Sequence, residues 1–267
     1  MQIRLATQGA PGRPNEDYAA AGTGWALVLD GATPAPGVAS GCRHDVPWLV
    51  RRLAAALAAR LTLADPASLA DPASLADPAS LADPASLADI VAGAIDETMA
   101  AHAGTCDLDN PDSPSSTVSA VRIRENALEY LVLCDSPILL RRSGGRLTLL
   151  ADDRLARLAD GGPLGAGAVR ERRNRPGGFW VASTDPGAAY QAVRGTVRLD
   201  TVTDVALFTD GVTRLADWYG YAWPDIFARL RDTGPTGIIG LVRAAERGYP
   251  HPFGKQHDDA TAVLLSR

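Results

Sequence analysis

Histidine, cysteine, lysine and long apolar runs are all scarce in this chain of 267 residues. Only four histidines are present, too few and too scattered to suggest an imidazole-rich catalytic centre. The three cysteines, Cys42, Cys106 and Cys134, are odd in number, widely spaced and without a CxxC pair. That usage argues against a disulfide framework and fits reduced packing thiols. Lys255 is the only lysine, and the net charge is −5, so the chain offers no basic footprint for nucleic acid or an anionic membrane. No uncharged apolar stretch reaches the roughly 18 residues that a membrane span needs. The amino terminus, Met1-Gln2-Ile3-Arg4-Leu5, has neither the basic start nor the apolar run of a signal peptide, which points to a cytoplasmic protein. At 46% hydrophobic and 21% charged residues, the remainder is ordinary globular composition.

Against that background, two short stretches nearly rhyme. Leu27-Val28-Leu29-Asp30-Gly31-Ala32-Thr33 and Leu207-Phe208-Thr209-Asp210-Gly211-Val212-Thr213 are apolar runs ending in Asp-Gly. Each reads as a buried strand surfacing at a carboxylate, with a glycine that permits close backbone approach. An isolated Asp-Gly is also a favoured hairpin turn, as Asp160-Gly161 illustrates in its Gly-rich loop. Two further acidic clusters, Asn15-Glu16-Asp17 and His257-Asp258-Asp259, lie near the chain ends. Carboxylates gathered in one place raise one another's pKa and call for a cation, and hard cations such as Mg²⁺ and Mn²⁺ take oxygen ligands. A metal-dependent hydrolase is the leading reading.

Periodicity predicts strands over Ile3–Thr7, Asp17–Ala20 and Trp25–Asp30, then helices over Val38–Leu61 and Asp89–Ala103. Between the helices, Leu63–Ser86 is four copies of Leu-Ala-Asp-Pro-Ala-Ser, with a fifth begun at Leu87-Ala88-Asp89. A proline in every copy excludes one continuous helix, so residues 63–89 read as an expanded insertion in a single domain spanning 1–267. Leu69, Leu75 and Leu81 are its candidate contacts for a partner. An antiparallel meander follows over Ser115–Leu150, then a short helix at Asp153–Leu158 and a loop over Asp160–Gly178. Strands are expected at Phe179–Ala182, Val197–Leu199, Val205–Thr209 and Asp259–Leu265, with helices at Trp223–Arg231 and Thr236–Arg247. Strands and helices that cluster rather than alternate indicate an α+β layered fold.

The motifs Arg13-Pro14-Asn15-Glu16-Asp17, Leu29-Asp30-Gly31, Ser115-Ser116-Thr117, Cys134-Asp135-Ser136, Thr209-Asp210-Gly211 and Asp258-Asp259-Ala260-Thr261 occur in that order along essentially the whole chain. In this the chain resembles the PPM family, the metal-dependent protein serine/threonine phosphatases of type 2C, and in particular its divergent bacterial members. The resemblance implies a four-layer α-β-β-α sandwich, two antiparallel sheets flanked by helix pairs, with two Mn²⁺ or Mg²⁺ ions at one edge. It implies that Asp30 bridges the metals, that the Gly31 carbonyl ligates one of them, and that Asp210 and Asp258 complete the other. Asp17 holds metal-bound water, Asp135 and Asp210 form an optional third metal site, and Arg13 binds the substrate phosphate. The implied substrate is a phosphoserine or phosphothreonine protein, attacked in line by hydroxide held between ions roughly 3.5–4 Å apart. A monomer that binds neither nucleic acid nor membrane is expected.

The chain also departs from the family pattern around the substrate. Arg13 lies one residue closer to the Asn-Glu-Asp run than is usual, and Ala32-Thr33-Pro34 replaces the usual residue and two glycines. Ala32 stands where some relatives carry a histidine general acid, and Pro137 replaces the arginine after Asp-Ser. These changes motivate an alternative, a noncatalytic PPM-like regulatory module that binds metal or a phosphorylated partner. Asp30-Gly31-Ala32-Thr33 also echoes the Asp-x-Asp-Gly-Thr motif of haloacid-dehalogenase-like phosphatases, but Val28 occupies the nucleophile position. His257 is a candidate to tune Asp258 or donate to substrate, whereas His44, His102 and His251 read as structural or solvated. Cys42 and Cys106, even if close in space, read as packing residues. The arginines at 170, 172, 173 and 175 are a candidate docking run for an anionic substrate, and Trp180 a core residue or a flap wall.

Overall fold

A computed structural model describes residues 1–34, 37–64, 85–159, 164–249 and 255–267. Eleven strands form two antiparallel sheets. The first sheet runs β1 (Gln2–Gln8), β11 (Ala260–Ser266), β10 (Val202–Phe208), β7 (Ile138–Arg142) and β8 (Leu147–Leu150). The second runs β2 (Asp17–Gly22), β3 (Trp25–Ala32), β5 (Val118–Arg124), β6 (Ala127–Leu133) and β9 (Val193–Arg198), with the two-residue β4 (Ser115–Ser116) beside β3.

The period-two alternation of the central strands sorts their side chains into separate layers. On β3, Trp25, Leu27 and Leu29 pack under α1 (Val46–Leu63) and α2 (Leu87–His102), while Ala26 and Val28 face the other sheet. On β10, Val205 and Leu207 meet that inter-sheet core, while Ala206 and Phe208 pack under α5 (Asp210–Asp217) and α6 (Trp223–Gly248). Both strands are therefore buried on both faces, which is why they read as continuous apolar runs. The result is the four-layer α-β-β-α arrangement that the sequence implied.

Local chemistry sets the helix ends. Asp45 caps α1 by accepting from the Trp48 amide at 2.8 Å, with Pro47 in the first turn. The helix thus starts eight positions later than the predicted Val38. Ser86, the last residue of the fourth repeat copy, forms a reciprocal capping box with Asp89 at the start of α2. Most of the repeat, with Leu69, Leu75 and Leu81, lies outside the described residues, as does His251. The α6 run breaks at Gly234 (φ +73°) before Pro235, giving the two helical halves that were predicted.

Three expectations fail. The loop assigned to 160–178 contains a helix, α4 (Ala166–Arg172), after α3 (Arg154–Ala159). Phe179–Ala182 is not a strand. Its amides and carbonyls pair with isolated partners at Arg172, Asn174 and Ser116, while Phe179 and Val181 turn into a small cluster with Cys134. The strand expected through Thr209 ends at Phe208, and Asp210 and Gly211 open a helix, α5, that was not predicted.

Candidate active site

The acidic motifs meet at one edge of the sandwich. Asp17 and Asp30 are direct partners in the β2–β3 register, and β3 continues past Asp30, with Gly31 opposite Ser116. The Asp30 amide donates to Thr117 Oγ1 at 3.1 Å, and the Thr117 amide returns a bond to the Asp30 carbonyl at 2.9 Å. Across the sheets, the Asp210 amide at the start of α5 donates to Asp30 Oδ2 at 3.3 Å. Thr209, fully buried, donates its hydroxyl to Asp17 Oδ2 at 2.8 Å and accepts the Thr261 amide at 2.9 Å.

The two glycines of the rhyme serve close approach. A Cβ on Gly31 would stand 2.6 Å from the Glu16 carbonyl oxygen, and one on Gly211 would stand 1.9 Å from that of Asp259. The first Asp-Gly is thereby fastened to the Glu16-Asp17 segment and the second to Asp258-Asp259. Asp259 completes the stitching by accepting the amides of Ala10 at 2.7 Å and Glu16 at 2.6 Å. Within each terminal acidic pair, one residue faces the site and its neighbour holds backbone in place.

Asp30, Gly31, Asp135, Asp210 and Asp258 line a single cavity of about 370 Å³, together with Thr117, Arg173 and Lys255. Asp17 lies buried beside it, and its Oδ1 has no hydrogen-bond partner. Burial, reinforced by the neighbouring carboxylates, pushes Asp30 well above the usual carboxylate range, Asp210 up to about 7 and Asp17 up to about 8. Asp135 is raised as well, again chiefly by burial. Buried carboxylates that repel one another, one with an orphaned oxygen, form an all-oxygen donor set suited to a hard divalent cation. Arg13 is exposed and is not among the residues lining the cavity. His257 turns away from it, with Nδ1 2.7 Å from the buried Glu246.

The family model for Protein phosphatase 2C matches residues 8–239. The chain belongs to the protein phosphatase 2C family. No curated protein matches it. Among solved structures it is similar to the PPM Ser-Thr phosphatase MsPP from Mycobacterium smegmatis, at 17% identity and a TM-score of 0.59, covering 100% of this chain and 98% of that one. The serine/threonine phosphatase PstP/Ppp of Mycobacterium tuberculosis matches at 18% identity and 0.58, covering 99% and 97%. Serine/threonine phosphatase Stp1 from Staphylococcus aureus matches at 14% and 0.59, covering 100% and 94%. Among the described residues, no helix is long and apolar enough to cross a membrane.

Several groups around this phosphatase 2C cavity were not singled out from sequence. Arg214, on α5 one turn after Asp210, is nearly buried, pairs with Asp258 and lies 4.2 Å from the Trp218 ring centroid. With the helix unrecognised, its i+4 relation to Asp210 carried no signal. Lys255 Nζ stands 3.4 Å from Asp258 Oδ1, and its place three residues before the acidic pair was a usable clue. Arg173 was noted only within an arginine run. In the structure its Nη1 donates to the Ser113 carbonyl at 2.9 Å, fixing it against the cavity wall. Cys134 holds a left-handed backbone (φ +70°) immediately before Asp135, and its amide donates to Asp152 Oδ2 at 3.2 Å. That conformation favours glycine.

Proposed function

We propose that this chain is a Mn²⁺- or Mg²⁺-dependent phosphatase acting on phosphoserine or phosphothreonine in proteins. The observation that carries the reading is the convergence of Asp30, Asp135, Asp210 and Asp258, from four separate segments, on one cavity with Lys255 and Arg173 in its wall and Asp17 buried beside it. Support comes from the family and from the similar catalytic domain of PstP, solved in complex with two manganese ions.

Asp30, the Gly31 carbonyl, Asp210 and Asp258 would hold the ions, with Asp17 buried beside them, and Asp135 with Asp210 would offer a third position. When bound, such ions lower the pKa of water and offset charge on phosphoryl oxygens. The protein's own part is to fix the carboxylates. The α5 amide and the Thr117 backbone set Asp30, Thr209 sets Asp17, and Arg214 sets Asp258. Lys255 and Arg173 supply positive charge inside the cavity for the substrate phosphate, and Arg13, exposed and outside the cavity lining, is the further arginine proposed to bind it. With Ala32 where some relatives carry a histidine, protonation of the leaving oxygen falls to water or to another group of the cavity.

Hydrolysis of a generic phosphomonoester by purified protein tests this. Turnover is expected with Mn²⁺, is abolished by EDTA, and falls at least about tenfold in Asp210→Asn. Turnover persisting in EDTA would defeat the metal argument. Mn²⁺ binding without turnover under any metal would leave the noncatalytic module as the correct reading.

A further inference from the structure

A second cluster of metal-ligating side chains lies outside the acidic centre. Cys42 and His44 stand on the segment leading into α1, and His102 and Cys106 stand at the end of α2 and just beyond it. One ligand atom from each of the four lies within 4.8 Å of every other. The Cys42 sulfur is 3.3 Å from that of Cys106, 3.4 Å from His102 Nδ1 and 3.7 Å from His44 Nδ1, and the Cys106 sulfur is 3.4 Å from His44 Nδ1. Zinc bonds sulfur at about 2.3 Å and imidazole nitrogen at about 2.0–2.1 Å, so a tetrahedral site spaces adjacent donors by roughly 3.4–3.8 Å. The observed separations fall close to that range.

We propose that Cys42, His44, His102 and Cys106 form a structural Cys₂His₂ zinc site. The surroundings suit it. The His44 amide donates to the Cys42 sulfur at 3.4 Å, and the amides of Arg43 and His44 face the Cys106 sulfur, as amides do around a thiolate ligand. Trp48 stacks on His44 with ring centroids 3.9 Å apart and meets His102 edge-on at 4.6 Å, which walls the site with apolar surface. Four protein donors leave no open position, the mark of a structural site. Binding displaces the two thiol protons to solvent and leaves thiolates on the ion.

The placement gives the site a task. It ties the strand-to-helix segment to the turn after α2, where the Asp107 amide already donates to the Gly41 carbonyl at 2.9 Å and Asn110 donates to the Ala39 carbonyl at 3.1 Å. Those same two segments carry Val38, Pro111 and Asp112, which line one wall of the acidic cavity. Zinc braces that wall from behind.

Cobalt substitution tests the site without reference to activity. The full chain loaded with Co²⁺ is expected to show thiolate-to-cobalt charge-transfer absorption and the strong visible bands of a tetrahedral ion. Both are lost in C42A/C106A and kept in Asp210→Asn, because an oxygen-ligated ion gives neither. Protein grown with zinc should carry about one thiolate-held zinc per chain. Should the double variant fail to fold, wild-type protein titrated with a mercurial reagent must release that zinc to a chelating dye as its thiols react. Tetrahedral bands that survive C42A/C106A, no zinc release on thiol titration, or a Cys42–Cys106 disulfide that takes up no zinc after reduction would each overturn the proposal.

Discussion

The acidic cavity and the Cys/His cluster are opposites in ligand chemistry. The first gathers charged oxygens that repel one another, so burial and mutual proximity raise Asp30, Asp210 and Asp17 together. The second gathers soft sulfurs and imidazole nitrogens that sit within hydrogen-bond reach of one another. An uncompensated carboxylate cluster is a standing cost that folding must overcome, so its geometry is stitched from every side by Thr209, Thr117, the α5 amide and Arg214. The soft cluster needs less bracing, and it stiffens one wall of the hard one. The difference separates a centre built to act from a centre built to hold.

Substitutions can break that division. The largest effect is expected from Asp30→Asn. Turnover should fall by at least about a hundredfold, while the metal-free protein melts higher because the cost of burying an ionisable carboxyl among other carboxylates is gone. Parallel phosphate-release and melting assays check the opposed signs. Arg214→Ala comes next: it leaves Asp258 with only Lys255 as a charge partner and should cost about 2 kcal/mol in urea unfolding, with weaker Mn²⁺ binding by calorimetry. On the soft side, releasing zinc from wild-type protein should lower the melting temperature by about 5–10 °C, and C42A/C106A should melt there regardless of zinc.

The titration of the hard site supplies a pH test. Asp17 and Asp210 sit above the ordinary value of 3.8, at about 8 and about 7. The metal-free native state therefore binds more protons than the unfolded chain between about pH 4 and 8, and its stability falls as pH rises through that window. A bound cation removes the penalty. The rise in melting temperature caused by Mn²⁺ should then be larger at pH 8 than at pH 5.5, by about 5 °C. The smallest effect is expected for Cys134→Gly. Relief of the left-handed backbone and loss of a buried thiol should nearly cancel, leaving stability within about 1 kcal/mol.

The strands and the hard site were legible for the same reason. Buried strands such as Leu27–Leu29 and Val205–Phe208 are apolar on both faces, so an acid at their ends stands out. What stayed hidden depended on tertiary partners. The helix α5 begins with Asp-Gly, whose local preference is a turn, and only Gly211 packing against the Asp259 carbonyl shows why glycine is needed there. Phe179–Ala182 has a strand's composition, yet its backbone meets only isolated partners. The soft site escaped because Cys42 and Cys106 belong to different elements and contribute one sulfur each. Each residue alone looks like packing. Lys255, by contrast, was visible as the only lysine and stood three residues before Asp258, a clue the reading did not use.

The most direct test of the whole account is phosphate release from a phosphothreonine peptide by the wild-type chain, followed as Mn²⁺ is added, chelated with EDTA and added again. Release that appears with Mn²⁺, stops with EDTA and returns on readdition is the predicted result. Release that continues through chelation, or none with either Mn²⁺ or Mg²⁺, would contradict it.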